Sequence, residues 1–514
     1  MKRLNLRLLT VILSLVLALS CSALAASKVI TVINTSDFHG NLLVGQKDKS
    51  NPPRPWGGEA IVAAYIAQYK AKNPEGTLVL DEGDVMQGPA VSTALRGKST
   101  IEAYNAAGYD AAAIGNHEFD WGIDTMKARF ADAKFPFLSA NIFLKATGER
   151  PEWAKPYAIF ERSGVKIGVI GLTTVQTPVV ALPTIVAPFE FRDPATVANA
   201  LIPEVRAKGA QVVILLAHLG GEVDSAGVAS GEIVDLAQEV EGADLILGGH
   251  THTTLVARIN GVPVVVPYYQ GRSFGVTNLT FDTDAGKVTA VETSVENAYG
   301  DTIAPDPAVA AVIEKFNKDL APVMAEVLAQ APKDMIRDYE AENPLGNLVA
   351  DVMRKIGGTD FAFTNAGGLR TDVPAGPITL GKVWEIIPFD NTVVTMELTG
   401  AQVIEVLSNA SKGLTPSSGL KFTWRPIPGN KDKREIVSVT LPDGRPLDPN
   451  ARYTVSTNDF MATGGDNYAV LKAGAKVYNT NILIRDALID YLKAEGAAGR
   501  PIAPQVEGRA VKVQ

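Results

Sequence analysis

Between residue 28 and about residue 275, the chain alternates short apolar runs rich in β-branched residues with longer stretches of helical pattern. Turn residues follow each apolar run, and residues 59–70 and 195–207 show the spacing of apolar positions typical of helices. Buried strands that alternate with helices predict an α/β domain built from packed layers. The predicted strands are residues 29–33, 77–80, 111–114, 165–170, 212–216 and 245–247.

The pattern changes after residue 297. Residues 301–307 have the composition of a loop, and residues 308–330 keep a helical pattern that only Pro322 interrupts. We interpret residues 301–331 as a linker helix with its leading loop. This leaves residues 26–300 for the first domain and predicts a second α/β domain, with its own strands and glycine-rich turns, over residues 332–514.

The N-terminus has the features of a secretory signal peptide, which we place at residues 1–25. A basic start precedes an apolar run at residues 8–19, and an Ala-x-Ala site ends at Ala25. The run is shorter than the ~20 residues of a spanning helix, and no later run reaches that length, so we expect no transmembrane span. Two outcomes stay open: cleavage after Ala25, or a lipid anchor at Cys21. Either one predicts a periplasmic or extracellular protein.

Composition narrows the classes of function. The chain has 514 residues, 46% of them hydrophobic, which is enough for large cores and excludes a wholly disordered protein. A net charge of -8 lacks the basic excess of a general nucleic-acid binder, so we expect no nucleic-acid partner. A single cysteine excludes a disulfide framework and any zinc site built from cysteines.

All five histidines lie in loops that directly follow predicted strands, together with Asp and Asn residues. Open α/β sheets bind ligands at this edge, beyond the carboxyl ends of the strands. Imidazole and carboxylate together suit Zn, Mn, Fe or Co rather than calcium. Seven candidate donors are too many for one tetrahedral ion and fit two divalent ions that share a bridging carboxylate. The seven are Asp37, His39, Asp84, Asn116, His218, His250 and His252.

Taken in chain order, these loops resemble the signature of calcineurin-like metallophosphoesterases. The matching segments are Asp37-x-His39, Gly83-Asp84, Gly115-Asn116-His117-Glu118, His218 and Gly249-His250-x-His252. In the second predicted domain, four motifs are similar to the C-terminal domain of secreted 5'-nucleotidases. These motifs are Leu-Gly-Asn-Leu-Val-Ala-Asp at 345–351, Asn-Ala-Gly-Gly-Leu-Arg at 365–370, Pro-Phe-Asp-Asn-Thr at 388–392 and Asn-Asp-Phe-Met-Ala-Thr-Gly-Gly-Asp-Asn-Tyr at 458–468.

The resemblance to the secreted 5'-nucleotidase and UDP-sugar hydrolase family therefore covers nearly all of the mature chain. It implies a four-layer α/β/β/α metallophosphatase domain, a linker helix and a second α/β domain that recognises the substrate. It also divides the donors between two ions, Zn, Mn or similar. One ion takes Asp37, His39 and His252, the other takes Asn116, His218 and His250, and Asp84 bridges them.

The same resemblance implies roles for residues outside the metal set. His117 would stabilise the transition state, and Asp120 would orient or charge it. Phe389 and Phe460 resemble two aromatic residues that sandwich a nucleobase, and such stacking tolerates different bases. The remaining implied contacts are Asp466 with the ribose, Arg370 with phosphate or the polar edge of the substrate, and Asn365 with the base.

One departure concerns an arginine. Family members often carry an arginine three residues before the glutamate that corresponds to Glu342, where this chain has Tyr339. We therefore carry over the nearest arginine, Arg337, as a substrate contact. A changed set of arginines could alter the preference between nucleoside monophosphates and diphosphates.

These observations predict an exported dimetal phosphohydrolase that cleaves 5'-nucleotides to nucleoside and phosphate, with UDP-sugars and nucleoside di- or triphosphates as further candidate substrates. One alternative is a 2',3'-cyclic-nucleotide 2'-phosphodiesterase/3'-nucleotidase, whose relatives tend to stack the base with tyrosines rather than with phenylalanines. An alternative of another class is a non-catalytic nucleotide-binding surface protein, which we would expect to lack metal ligands. The sequence does not identify the native metal, the preferred base or the oligomeric state.

Overall fold

The computed structural model describes residues 27–513 apart from residues 45, 49, 51 and 225. The predicted signal peptide and Cys21 lie outside the described residues. Within that range, no helix combines the length and the apolar composition needed to cross a membrane.

The part of the chain from residue 27 to residue 297 forms two mixed six-stranded sheets, each parallel at its centre and antiparallel toward an edge. In spatial order, the first sheet contains Lys287–Asn297, Ser273–Asp282, Ser27–Thr35, Thr77–Asp81, Ala111–Ala113 and Phe137–Leu138. The second sheet contains Thr254–Ile259, Val262–Pro267, Leu245–Leu247, Val212–His218, Val165–Thr173 and Tyr157–Arg162. Short antiparallel pairs join Gln46–Lys47 to Pro55–Trp56, Ile142–Leu144 to Phe189–Phe191, and Glu222–Val223 to Ala229–Ser230.

The two sheets enclose a central apolar core. Along Val212–His218, Ile214 and Leu216 point into this core, whereas Val213 and Leu215 pack against helices on the outer face. Successive side chains of a strand point to opposite faces, so a strand buried on both faces must be apolar at every position. For this reason the strands stand out in the sequence as continuous apolar runs.

Helices cover the outer face of each sheet, which gives the layer order α/β/β/α. Helices against the first sheet are Glu59–Lys72, Lys98–Ala107, Gly122–Asp132 and Pro307–Asn317. The second sheet is covered by Pro194–Ala207 and Glu232–Glu239. Shorter helices are Ala90–Thr93, Thr177–Val180, Pro183–Val186 and the single 3-10 turn His117–Phe119. The predicted mixed α/β fold class is confirmed.

The prediction of one helix over residues 308–330 is wrong in its second half. The structure has two helices, Pro307–Asn317 and Leu320–Met324, followed by the strand Val327–Ala331. That strand pairs antiparallel with Gly376–Thr379, and this distant pairing overrides the local helical pattern. Val309 and Ile313 of the first helix are buried in the core beneath the first sheet. This helix is therefore packed on the N-terminal part and is not a free connector.

The part from residue 327 to residue 513 forms its own mixed sheets and helices. Its five-stranded sheet contains, in spatial order, Ser417–Ser418, Phe361–Phe363, Arg452–Asn458, Thr392–Thr399 and Ala475–Leu483. A three-stranded sheet contains Asn430–Thr440, Lys421–Ile427 and Ala510–Lys512. The helices are Pro344–Gly357, Leu380–Ile386, Gly400–Ser408, Asp459–Ala462 and Ile484–Ala497, with 3-10 turns at Ala366–Gly368, Gly465–Asn467 and Ala469–Ala473.

Candidate active site

The predicted metal donors meet at one edge of the sandwich, where strands of both sheets end. Each of five strands runs directly into a loop that carries one or more of the donors, or ends on a donor itself. Three of these strands belong to the first sheet and two to the second. They are Ser27–Thr35, Thr77–Asp81, Ala111–Ala113, Val212–His218 and Leu245–Leu247.

Asp37, His39 and His252 form a first cluster, with ligand atoms within 4.8 Å of one another. The Nε2 atoms of His39 and His252 lie 3.1 Å apart. Asp37 Oδ1 lies 3.5 Å from His252 Nε2, and Asp37 is completely buried. Two imidazoles and one carboxylate at this spacing suit a divalent transition metal.

Asp84, His218 and His250 form a second cluster of the same kind. His218 Nε2 lies 3.2 Å from Asp84 Oδ2 and 3.1 Å from Asn116 Oδ1. Asp84 Oδ2 also lies 3.9 Å from His39 Nε2 in the first cluster. A carboxylate within reach of both clusters is what two ions with a shared ligand require.

Backbone carbonyls orient two of the imidazole rings. His39 Nδ1–H donates to the Gln87 carbonyl at 3.0 Å, and His218 Nδ1–H donates to the Glu82 carbonyl at 2.8 Å. With its proton on Nδ1, each ring turns the lone pair of Nε2 toward the cluster. Histidines that bind metals are held by their second nitrogen in this way.

The backbone is strained at five of the seven donors. Asp37, His39, Asp84, His250 and His252 have φ between 48° and 70°, a left-handed region that residues with a Cβ seldom adopt. Such conformations persist only where the surrounding structure enforces them, and they concentrate at functional sites.

Two glycines allow the loops to approach closely. A Cβ on Gly115 would lie 2.2 Å from Asp84 Oδ1, and a Cβ on Gly249 would lie 2.1 Å from Ser36 Oγ and 2.8 Å from Asp37 Oδ2. Any other residue would displace the carboxylates that the site needs.

The electrostatics of the site keep Asp84 ionised. Burial alone would raise the pKa of Asp84, but His218, His117 and His39 hold it well below its usual range. Asp84 is therefore an anion, and it is surrounded by imidazole nitrogens rather than by lysine or arginine. The chemistry of this donor set fits divalent metal ions.

His117 and Asp120 lie beside the clusters. His117 Nδ1–H donates to Asp120 Oδ2 at 2.9 Å, and the His117 backbone N–H donates to Asp84 Oδ1 at 2.8 Å. Burial would lower the pKa of His117, but Asp120 and Asp84 raise it above its usual value. The His117 ring also lies within ligand distance of His39 and Asp84, so a bound metal ion is within its reach.

A cavity of about 590 Å³ opens in front of the clusters and is lined by both parts of the chain. The N-terminal part contributes Asp84, Asn116, His117, Asp120, His250 and His252, among others. The predicted substrate contacts that line it are Asn365, Arg370, Phe389, Phe460 and Asp466. The structure thus brings both groups of predicted residues into one space.

Phe389 and Arg370 contact the metal side of this cavity. The rings of Phe389 and His117 stack with centroids 5.6 Å apart and an interplanar angle of 26°. The Arg370 guanidinium lies 5.8 Å from the centre of the Phe389 ring, and its Nη2 atom lies 3.4 Å from His39 Nε2. The cation of Arg370 is therefore placed where an anion would reach the first cluster.

A hydrogen-bonded chain holds Asp466 on the part of the cavity wall that the C-terminal part forms. Asn458 Nδ2 donates to Asn365 Oδ1 at 2.9 Å, and Asn365 Nδ2 donates to Asp466 Oδ2 at 2.7 Å. Asp466 has a φ of 50°. Phe460 packs against Gly465, where a Cβ would lie 2.4 Å from the aromatic ring.

The interpretation of Arg337 as a substrate contact is not supported, since Arg337 is absent from the described residues that line the cavity. Its Nε donates to Asp372 Oδ1 at 3.2 Å and its Nη1 donates to the Leu369 carbonyl at 2.9 Å. These hydrogen bonds tie the Arg337 side chain to the loop that carries Arg370.

Two residues that support the site escaped sequence analysis. The Glu118 carboxylate accepts hydrogen bonds from the backbone N–H groups of Asp84, Val85 and Gly115 at 2.7–2.9 Å, which ties two donor loops together. The position of Glu118 directly after His117 in the Gly-Asn-His-Glu motif could have pointed to this supporting role.

Arg485 supports the loop that carries Phe389, and it is 3% exposed. Its Nη1 donates to the carbonyls of Ile387, Pro388 and Phe389 at 3.2–3.3 Å, and its Nη2 donates to Asp390 Oδ1 at 2.6 Å. No local sequence signal points to a contact between residues so far apart in the chain.

Comparisons with known proteins agree with this geometry. Residues 324–473 match the profile of the 5'-nucleotidase C-terminal domain, and residues 63–266 match that of a bacterial capsule synthesis protein. The fold and the donor set together define a two-part protein with a calcineurin-like metallophosphoesterase fold.

Individual proteins resemble the chain along most of its length. The crystal structure of a 5'-nucleotidase precursor from Thermus thermophilus superposes with a TM-score of 0.84 at 29% identity, covering 95% of this chain and all of that one. A snake venom 5'-nucleotidase from Naja atra is 28% identical over 94% of this chain and 98% of its own length. The Bacillus subtilis endonuclease YhcR is 30% identical over 93% of this chain, but the chain spans only 40% of YhcR. The chain is thus similar to 5'-nucleotidases along most of its length.

We predict that Gly115→Ala weakens metal binding without unfolding the protein. The added methyl group must displace Asp84 Oδ1, and changes beside a ligand typically cost roughly 10–100-fold in metal affinity. Calorimetric titration with Mn²⁺ or Zn²⁺ measures the affinity, and circular dichroism monitors the fold. Gly300→Ala is the matched control, because its nearest neighbour would lie 3.5 Å away. Equal affinity in both variants would contradict the prediction.

Proposed function

We propose that this protein is an exported phosphohydrolase that uses two divalent ions to cleave 5'-nucleotides to nucleoside and phosphate. The observation that carries this proposal is the single cavity with metal donors and His117 on one wall and Phe389, Phe460 and Asp466 on the other. A nucleotide has the same two ends, a phosphate and a base, joined by a ribose. The relatives named as 5'-nucleotidases support this substrate class.

The seven donors are proposed to hold the ions at the strand ends. Bound there, the ions would supply Lewis acidity toward the phosphoryl group and lower the pKa of water. Asp84 contacts both clusters and so fixes their spacing, while the carbonyls of Gln87 and Glu82 hold two imidazoles in place.

His117 is proposed to act on the phosphoryl group itself. Asp120 Oδ2 accepts a hydrogen bond from Nδ1–H of His117, which leaves Nε2 to face the substrate. The raised pKa of His117 favours the protonated ring. A protonated imidazole next to the cluster donates a hydrogen bond to a phosphoryl oxygen as negative charge develops. Arg370, whose guanidinium lies near His39, adds a second positive charge.

The C-terminal part, residues 332–514, is proposed to determine which nucleotide is bound. Phe389 and Phe460 stack on the base, and Asp466 accepts hydrogen bonds from ribose hydroxyls. Residues 26–300 perform the chemistry.

Residues 1–25 direct export of the protein, which agrees with the presence of a venom protein among the relatives.

The first test is phosphate release from AMP, ADP, UDP-glucose, 3'-AMP and 2',3'-cyclic AMP, with and without a chelator. We expect release from AMP that the chelator abolishes and that Mn²⁺ or Zn²⁺ restores. Asp84→Ala should be the most damaging ligand change, because it removes a donor from both ions. Full activity of a metal-free preparation would contradict the proposal. A preference for 2',3'-cyclic AMP would favour a 2',3'-cyclic-nucleotide phosphodiesterase instead.

His117→Ala should lower kcat by roughly 10²–10⁴-fold, because a positioned acid or charge donor is lost from the chemical step. Both ions should stay bound, as measured by elemental analysis of the dialysed protein. If an ion is lost together with the activity, His117 is a metal ligand rather than a catalytic residue.

Truncation of Phe389 or Phe460 to Ala should lower kcat/KM for AMP by roughly 5–150-fold, which corresponds to ~1–3 kcal/mol of lost stacking. Turnover of p-nitrophenyl phosphate, which has no nucleobase, should change much less. Equal losses with both substrates would show that the two rings support the fold. If neither substrate is affected, the protein hydrolyses something other than nucleotides.

A further inference from the structure

Lys412 lines the cavity but took no part in the sequence predictions. Arg370 and Lys412 are the two basic side chains, lysine or arginine, among the described residues that line it. Arg370 lies at the first metal cluster, with Nη2 3.4 Å from His39 Nε2. Lys412 therefore adds a second positive charge to the cavity. Since Arg370 already lies where the cleaved phosphate would bind, Lys412 is available for another group of the substrate.

The ammonium group of Lys412 is hydrogen-bonded to an amide rather than to a carboxylate. Several carboxylates line the same cavity, yet within the described part of the chain Lys412 forms no ion pair. Its hydrogen bond goes to the neutral Gln176 Oε1 at 3.1 Å, and Gln176 belongs to the N-terminal part. A cation that is held by an amide and faces a cavity is free to bind an anion that enters it.

The loop around Lys412 is held in place at several points. Leu414 N–H donates to the Tyr339 carbonyl at 2.6 Å, and Arg434 Nη2 donates to the Gly413 carbonyl at 2.7 Å. Gly413 has a φ of 97°, and a Cβ there would lie 2.6 Å from the same Tyr339 carbonyl. Lys412 thus projects from a fixed backbone, as a binding residue must if it is to select between ligands.

Lys412 lines the cavity beside the residue assigned to the ribose. The preceding residue, Ser411, donates from Oγ to the Asp466 carbonyl at 3.2 Å, so the loop touches the residue assigned to the ribose. A phosphate attached to the ribose would therefore lie near this loop and the ammonium group that it carries.

A nucleoside diphosphate would place a charged group at this position. If the terminal phosphate occupies the metal side and the nucleoside contacts Phe389, Phe460 and Asp466, the phosphate attached to the ribose falls between them. We propose that Lys412 binds this second phosphate and makes the protein favour nucleoside 5'-diphosphates over monophosphates, an inference that rests on the proposed function. For ADP, water forms a bond to the β-phosphorus, the bond from that phosphorus to the bridging oxygen breaks, and AMP, inorganic phosphate and a proton are released.

The test compares kcat/KM for ADP and for AMP in the metal-loaded wild type and in Lys412→Met, Lys412→Arg and Gln176→Ala. Lys412→Met should lower kcat/KM for ADP by roughly 10–100-fold, as expected for a lost charge-assisted hydrogen bond, and that for AMP by less than about threefold. Lys412→Arg should keep most of the ADP activity, since it retains the charge. Gln176→Ala should leave the ratio of the two values unchanged, because it removes only the hydrogen bond that links Lys412 to the N-terminal part.

Each other result overturns the proposal. Equal losses for ADP and AMP in Lys412→Met, or the same change of ratio in Gln176→Ala, would show that Lys412 serves to join the two parts. An unchanged ADP:AMP ratio in Lys412→Met would show that no second phosphate is bound there. A wild type that cleaves AMP but not ADP removes this role alone, whereas a wild type that cleaves neither contradicts the proposed function as well.

Discussion

The packing of two sheets face to face is the constraint on which the site depends. The central core between them is apolar, so neither sheet can shift without exposing it. This packing fixes the relative position of strand ends that are far apart in sequence, such as those before Asp37 and His250. The loops that follow are then held in strained conformations that the strands on either side enforce. A cluster of buried carboxylates and imidazoles is sustainable only on such a scaffold, because each donor relies on the others for its partners.

The cavity divides the work between two parts of the structure. Under the proposed function, one wall would bind the phosphate, which all nucleotides share, and the other wall would bind the base and the sugar. The contacts between the walls include individual side chains, for example Phe389 on His117 and Lys412 on Gln176. Chemistry and selectivity can therefore vary separately, since a change in Tyr339 or Lys412 leaves the metal donors untouched.

Sequence analysis predicted the parts of the molecule that are governed by local pattern. The strands of the sandwich were recognisable because both their faces are buried. The candidate metal donors stood out because they follow those strands directly. What depends on distant contacts was missed or misread. The strand Val327–Ala331 was taken for helix because its partner, Gly376–Thr379, lies far along the chain. No sequence motif pointed to Arg485 or Lys412, since their contacts are with residues that lie far away in the chain. Arg337 was chosen because it is the arginine nearest in sequence to the expected position, but its side chain binds Asp372 and the Leu369 carbonyl.

Because the donor loops come from both sheets, metal binding and folding depend on each other. Asp37 and His250 become neighbours only after the whole sandwich has assembled, so the unfolded chain presents no comparable site. An ion that binds only the folded state stabilises it by an amount that rises with the concentration of free ion, about 1.4 kcal/mol for each tenfold increase above the dissociation constant. The supply of metal in the compartment would then set the persistence of the folded protein, and its resistance to proteases, as well as its rate of turnover.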